Sequence, residues 1–404
     1  SDGEPCFSGA IHMSYYYSMN DSNISADKQL SITNGWLKVR GFDVFPVERF
    51  SSDMLSAEIL DISMNSFPTL PDELGSIFPN ARVIFLSGTK LQTLPAGLGG
   101  CERLEMVGAR GSGLQRIDPA VLPQSIKALT LTDNRIAEIP ADINRLPILE
   151  KLCMSGNVLT RLPEELAGCQ KLEMLRVASN QIAQEPALLD QLPQLKWYND
   201  AGNVFSVRSK DADIPQIAET RVRLGGEIGK SANNRVFRAT LDGTEDVAIK
   251  VYGAELSTDG TVADEIAAMC AARNVEGAVV AQGVTRIDGQ AVSMPLISVA
   301  YSQLAAPPDL CVYTRDRYSQ TRTFTTDEAT SLINTVQQTV QALHASGITH
   351  GDIYAHNLLY RADGDVVLND FGAASLFTGE DAGRRAIDMH ACELLEQEIR
   401  ARIV

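Results

Sequence analysis

Between His350 and Gly372 the chain reads HGDIYAHNLLYRADGDVVLNDFG. Asp352 lies five residues before Asn357, and Asp370 follows Asn357 by thirteen. Asp352 can accept the proton of an attacking hydroxyl. Asn357 and Asp370 offer hard oxygen ligands of the kind Mg²⁺ takes when it carries phosphates. The apolar run Val366 to Leu368 reads as a short strand that delivers Asp370-Phe371-Gly372. Either group alone is a weak pattern. Both in order, with a strand between them, point to phosphoryl transfer rather than to a solvated acidic hairpin.

A second charged position lies upstream. Lys250 closes the run Val247-Ala248-Ile249-Lys250, and after residue 220 Lys230 is the only other lysine. Fifteen residues later, DEIAAMCAA has the look of a helix start, in which Glu265 can pair with Lys250 and Asp264 is the shorter candidate. LGGEIGKS invites a P-loop reading, which fails. A Walker A motif needs glycine five residues before Gly229, where Leu224 stands, and the following segment looks like a strand.

These pieces resemble the catalytic loop, DFG and VAIK motifs of the protein-kinase family. The resemblance implies ATP and Mg²⁺ as cofactors. Lys250 would bind the α/β-phosphates, Glu265 would hold Lys250, Asp352 would orient the hydroxyl, and Asn357 and Asp370 would hold Mg²⁺. Gly229, Ser231 and Asn234 fall on the three glycines of the family's Gly-rich loop, followed by Val236 and Ala239. Val236, Ala248 and Met294, the last at the gatekeeper position on a strand over 292–297, would border the nucleotide. Thr325 to His344 reads as a buried helix opened by a Thr325–Glu328 capping box. The departures are specific. Gly351 replaces the family's Arg, Tyr354 replaces the Lys usual in Ser/Thr kinases, and His356 carries no assigned role. No APE motif is visible. Asp388 resembles the aspartate that anchors the catalytic loop, and the chain ends at Val404, before the last helices of a full C-lobe.

A repeat array precedes this region. The template LxxLxLxxNxLxxLP recurs, most cleanly in LEKLCMSGNVLTRLP from Leu149 to Pro163. Its Asn position falls at Asn65, Thr89, Ser112, Asn134, Asn157, Asn180 and Asn203, at intervals of 22 to 24 residues. This resembles the leucine-rich repeat family. LxL alternation predicts a short strand per repeat, and Pro71, Pro95, Pro140, Pro163 and Pro186 block regular pairing on the convex side. One outward row reads Ile59, Val83, Met106, Ala128, Lys151, Met174, Trp197, which is apolar for a wet surface. Two readings follow: a groove for a peptide or protein partner, or packing against the rest of the chain.

The expected architecture is an α/β leucine-rich repeat solenoid followed by an α+β, two-lobed kinase-like domain with a truncated C-lobe. Residues 1–33 form an N-terminal segment with possible disorder and chance-level glycosylation motifs at Asn20 and Asn23. Residues 34–206 form the repeats, with 34–56 as a degenerate cap. A linker at 207–223 leads to the kinase-like part at 224–404, divided near 298. The chain begins with Ser, compatible with a removed segment. A formal charge of −16 argues against nucleic-acid and anionic-membrane binding. No apolar run suggests a membrane span, and seven scattered cysteines fit reduced thiols in the cytoplasm. The first expectation is a soluble, bacterial-type leucine-rich-repeat protein kinase acting on Ser or Thr. The alternatives are a pseudokinase scaffold and a small-molecule phosphotransferase like the aminoglycoside and choline kinases, which share HGD.

Overall fold

The repeat spacing sets a strand, a turn and a return path every 22 to 24 residues. In the computed structural model each repeat contributes three strand residues to one continuous sheet. Residues 28–206, 215–231, 234–379 and 381–404 are described. The Asn20 and Asn23 motifs, the Tyr-rich start and the first half of the linker lie outside them. The hairpin β1 (Gln29–Thr33) and β2 (Trp36–Arg40) opens the sheet. The parallel strands β3 (Ile59–Asp61), β4 (Val83–Phe85), β5 (Met106–Gly108), β6 (Ala128–Thr130), β7 (Lys151–Cys153), β8 (Met174–Arg176) and β9 (Trp197–Asn199) follow in order. The short helices α1 (Ser52–Leu55) and α2 (Leu74–Ile77) lie on the return side. Pro95, Pro140 and Pro163 each precede a 3-10 turn there.

The asparagines explain why the stack holds its register. Asn157 Oδ1 accepts the Ile136 amide at 3.0 Å, while its Nδ2 donates to Leu131 O and Met154 O, both at 2.9 Å. Asn134, Asn180 and Asn203 repeat this arrangement. Thr89 and Ser112 retain only the donor half: each hydroxyl donates to Leu86 O, at 2.7 and 2.8 Å.

The C-terminal half begins with a five-stranded antiparallel sheet of β10 (Val222–Lys230), β11 (Asn234–Leu241), β12 (Glu245–Tyr252), β13 (Gly283–Arg286) and β14 (Gln290–Pro295), ordered β10-β11-β12-β14-β13. Helix α3 (Val262–Ala271) packs beside it. Below lie α4 (Thr326–Ala345) and α5 (Ala382–Arg400). The capping box that opens α4 has both reciprocal hydrogen bonds. Strands β15 (Tyr301–Gln303), β17 (Leu358–Arg361) and β18 (Val366–Leu368) form one small sheet, and β16 (Ile348–Thr349) pairs with β19 (Ser375–Leu376). Five described cysteines, at 101, 153, 169, 270 and 392, are buried and unpaired, whereas Cys311 is disulfide-bonded, which corrects the expectation of reduced thiols throughout. Among the described residues no helix is long and apolar enough to cross a membrane.

The outward row is not an open groove, and the expectation of a partner seated on it is corrected here. Trp36, Ile59, Val83, Phe85, Met106 and Ala128 cluster with Leu310 and Tyr313 of the C-terminal half. Cys153, Met174 and Trp197 join the core of that half directly. The Trp197 ring stacks on Tyr354 at 4.1 Å and 5°. Conversely, Ile387 of α5 joins the repeat core. Charged pairs frame the seam: Arg315 on Glu173, and Arg384 on Asp200 at 2.7 Å. Burying one large apolar side chain stabilises by about 1.5–3 kcal/mol, whereas buried ion pairs roughly break even against their desolvation. The apolar row therefore holds the two halves together, and the charges fix their register.

Asn157→Leu should lower the stability of the full chain by about 1–3 kcal/mol, since the buried Ile136 amide loses its acceptor and Leu131 O and Met154 O each lose one of two donors. Thermal or urea melts check this; an unchanged midpoint would contradict the role of the asparagines.

Candidate active site

The site lies where the antiparallel sheet, the β16–β18 region and the repeat strands meet. Lys250 sits on β12 opposite Val236 of β11 and Val292 of β14. This register turns its side chain toward α3. Asp264 is taken up at the start of that helix, where its amide and carboxylate bond the Thr261 hydroxyl. Glu265 instead points inward, and its Oε1 lies 2.6 Å from Lys250 Nζ and accepts a second bond from the Tyr252 hydroxyl at 3.0 Å. Burial pushes the Glu265 carboxyl up, and Lys250 only partly opposes it. Burial alone would lower Lys250, but Glu265 and Asp370 hold its ammonium well above the ordinary range.

Asp370 lies 3.6 Å from Lys250 Nζ. The cation lowers the pKa of its carboxyl. Asp370 has φ 63°, a left-handed backbone that aspartate tolerates better than most residues. The Asn369 amide donates to Asn357 O at 2.9 Å, which ties Asp370's loop to Asn357. Asn357 donates through Nδ2 to Asp352 O at 2.9 Å and to Asp352 Oδ2 at 2.8 Å. That leaves its Oδ1 as the ligand atom for a hard cation.

The loop from His350 to Asn357 hangs from α5. Asp388 accepts the amides of His350 at 2.8 Å and Gly351 at 2.9 Å, and its Oδ2 lies 3.0 Å from His344 Nε2. His350 packs edge-on against Phe371 and burial lowers its pKa, so the neutral imidazole is structural. His356 is bound at Nδ1 by Asp316, 2.7 Å away. Burial opposes its protonation, and Asp316 outweighs that and raises its pKa.

Of the remaining expected residues, Ser231 lines the cavity, whereas Gly229, Val236, Ala248 and Met294 lie on the antiparallel sheet outside its lining. Ala248 pairs with Met294 across β12 and β14, and both are buried. Gly229 faces Val236. Ser231 follows β10, and its hydroxyl accepts the Asn234 amide at 3.2 Å. A cavity of about 230 Å³ joins Ser231, Asp352 and Asp370 to Lys151, Met174 and Arg176 of the repeats.

Three contributors escaped the sequence reading. Arg176 of β8 is 1% exposed in its side chain; its guanidinium binds Asp352 Oδ1 and donates to Gly351 O at 2.7 Å. Its Nε lies 3.2 Å from Asp259 Oδ1. Burial pushes Asp259 up to about 6, with Arg176 opposing. Tyr252 supports Glu265. The available signal for Arg176 was the strand period: two residues after each member of the apolar row a second outward row runs through Asp61, Phe85, Arg176 and Asn199, and its charges belong to buried contacts.

A family profile for the protein kinase domain matches residues 222–391, and one for the leucine-rich repeat matches residues 124–182. Mitogen-activated protein kinase kinase 10 of Arabidopsis thaliana is similar, at 27% identity over 195 residues, which covers 45% of this chain and 57% of that protein. The chain thus spans little more than half the length of this curated relative.

Gly351 has φ 70°, and a Cβ there would lie 2.5 Å from Ala373 O and 2.6 Å from Tyr198 O. Gly351→Ala should therefore cost about 1–3 kcal/mol and loosen the seam between the halves. Urea unfolding with limited proteolysis reads both; wild-type stability would contradict the close approach.

Proposed function

We propose that this chain, in which leucine-rich repeats are joined to a protein kinase domain, transfers the γ-phosphoryl group of Mg-ATP to a protein hydroxyl, of Ser or Thr. The observation that carries this reading is the convergence of the Lys250–Glu265 pair and Asp370 on one side of a cleft with Asp352 and Asn357 on the other. Lys250 would position the nucleotide phosphates. Asp352 would orient the acceptor hydroxyl and take its proton. Asn357 Oδ1 and the half-exposed Asp370 carboxylate fit Mg²⁺, which supplies charge neutralisation at the phosphates when bound. Val236, Ala248 and Met294 would border the adenine. Most of the catalysis is then positioning and electrostatic stabilisation.

The nine-stranded sheet supports a solenoid reading of the repeats, and the α4–α5 layer supports a reduced C-lobe. Asp388 supports the latter, because one buried carboxylate already fixes the catalytic loop. We keep the protein-binding role of the repeats for surfaces other than the buried strand row. The requirement for ATP favours a cytoplasmic setting. A second reading, transfer to a small hydroxyl compound, is favoured by one feature: Asp352 is 17% exposed in its side chain and faces a cavity walled by the repeats.

Asp370→Ala should abolish Mg²⁺-dependent ATP binding, whereas Asp352→Asn should keep nucleotide binding and lose transfer by at least about 100-fold. Calorimetric titration and labelled-phosphate transfer to protein and amino-sugar acceptors separate the outcomes. Binding without transfer in the wild type would leave a pseudokinase scaffold.

A further inference from the structure

The loop HGDIYAHN lacks an Arg or Lys of its own. Position 351 is glycine, position 354 is tyrosine, and His350 is a buried imidazole shifted toward neutrality. Yet Asp352 has a guanidinium bound to its carboxylate, and that guanidinium comes from Arg176 on β8 of the repeats.

The fit around Arg176 is built from both sides. Its side chain is buried, and it bonds the loop at two points, Gly351 O and Asp352 Oδ1. Next to it, Trp197 donates from Nε1 to Ile353 O at 3.1 Å and stacks on Tyr354. At Gly351 the repeat backbone approaches so closely that no side chain fits. The loop and strands β8 and β9 are therefore complementary in shape as well as in charge. The planar fork of an arginine reaches both acceptors at once, a geometric precision that a lysine point charge lacks.

We infer that Arg176 is a positioning residue for phosphoryl transfer, contributed to the active site by the repeat array. The inference rests on the kinase reading above. Arg176 acts through Asp352: with Arg176 on Oδ1 and Asn357 on Oδ2, the carboxylate is fixed in one rotamer. An ionised carboxylate offers about four acceptor positions, so two bonds leave room for an incoming hydroxyl. Asp352 and Arg176 both line the cavity shared with Asp370, so the guanidinium forms a wall beside Asp352 and does not plug it. The repeats then serve chemistry directly, supplying the cation that positions 351 and 354 lack.

The test compares full-length wild type with Arg176→Gln, Arg176→Lys and Arg384→Gln, using labelled Mg-ATP with casein and the chain itself as acceptors. Arg384 bonds Asp200 across the same seam and does not touch Asp352, so it reports on docking alone. Positioning predicts that Arg176→Gln lowers kcat about 100-fold while KM for Mg-ATP moves by less than about threefold. Arg176→Lys should recover part of that loss, and Arg384→Gln should change kcat by less than about threefold. Retained Mg-ATP binding by titration shows that the variants are folded. A kcat for Arg176→Gln at or above wild type, the latter marking a lock on Asp352, would overturn the inference, as would equal losses in Arg176→Gln and Arg384→Gln. A wild type that transfers no phosphate to either acceptor would remove the kinase reading itself, and the inference with it.

Discussion

The burial of one strand face is the constraint on which the rest of the structure depends. Repeat strands expose alternate residues on the concave side, and here the first outward row is apolar from Ile59 to Trp197, apart from Lys151. Left in water, that row would be an unusually large hydrophobic patch. It is covered instead by Leu310, Tyr313, Tyr354 and the core of the C-terminal half. The polar features of the seam follow from this contact. Arg176 can be buried because Asp352, Asp259 and Gly351 O receive its guanidinium, and Asp200 can be buried because Arg384 meets it. Removing the apolar contact would leave those charges without compensation, which is far costlier than never having had them.

Much of the architecture was legible because it obeys short periods. The Asn positions at 22- to 24-residue intervals correspond to one parallel strand each, and Leu37, 23 residues before Leu60, pairs opposite it in β2 and β3. The Lys250, Glu265, Asp352, Asn357 and Asp370 set was readable from motif spacing, and the structure brings these residues to one cleft. Glu265 over Asp264 is decided by reach: the shorter acid accepts from the hydroxyl of the N-cap Thr261, and the longer one crosses to Lys250.

What was not legible depends on contacts between residues far apart in the chain. Arg176 and Asp352 are separated by 176 positions, and no local pattern marks an arginine on a repeat strand as part of a catalytic loop. The apolar row was visible, but its two readings, partner groove or internal seam, differ only in what faces it. Gly351 shows the same limit. As a departure from the kinase pattern it reads as a lost arginine. In the fold it is the point where β9 passes so near the loop that only glycine is accommodated.

If the two halves form one body, they should unfold as one. Differential scanning calorimetry of the full chain, with and without saturating Mg-ATP, tests this most directly. A ligand of the C-terminal half stabilises whatever unfolds together with it. The account predicts a single transition, with calorimetric and van't Hoff enthalpies in agreement, that moves upward as a whole when nucleotide is added. Two transitions, of which nucleotide shifts only one, would contradict it and return the repeats to an independent module beside the kinase domain.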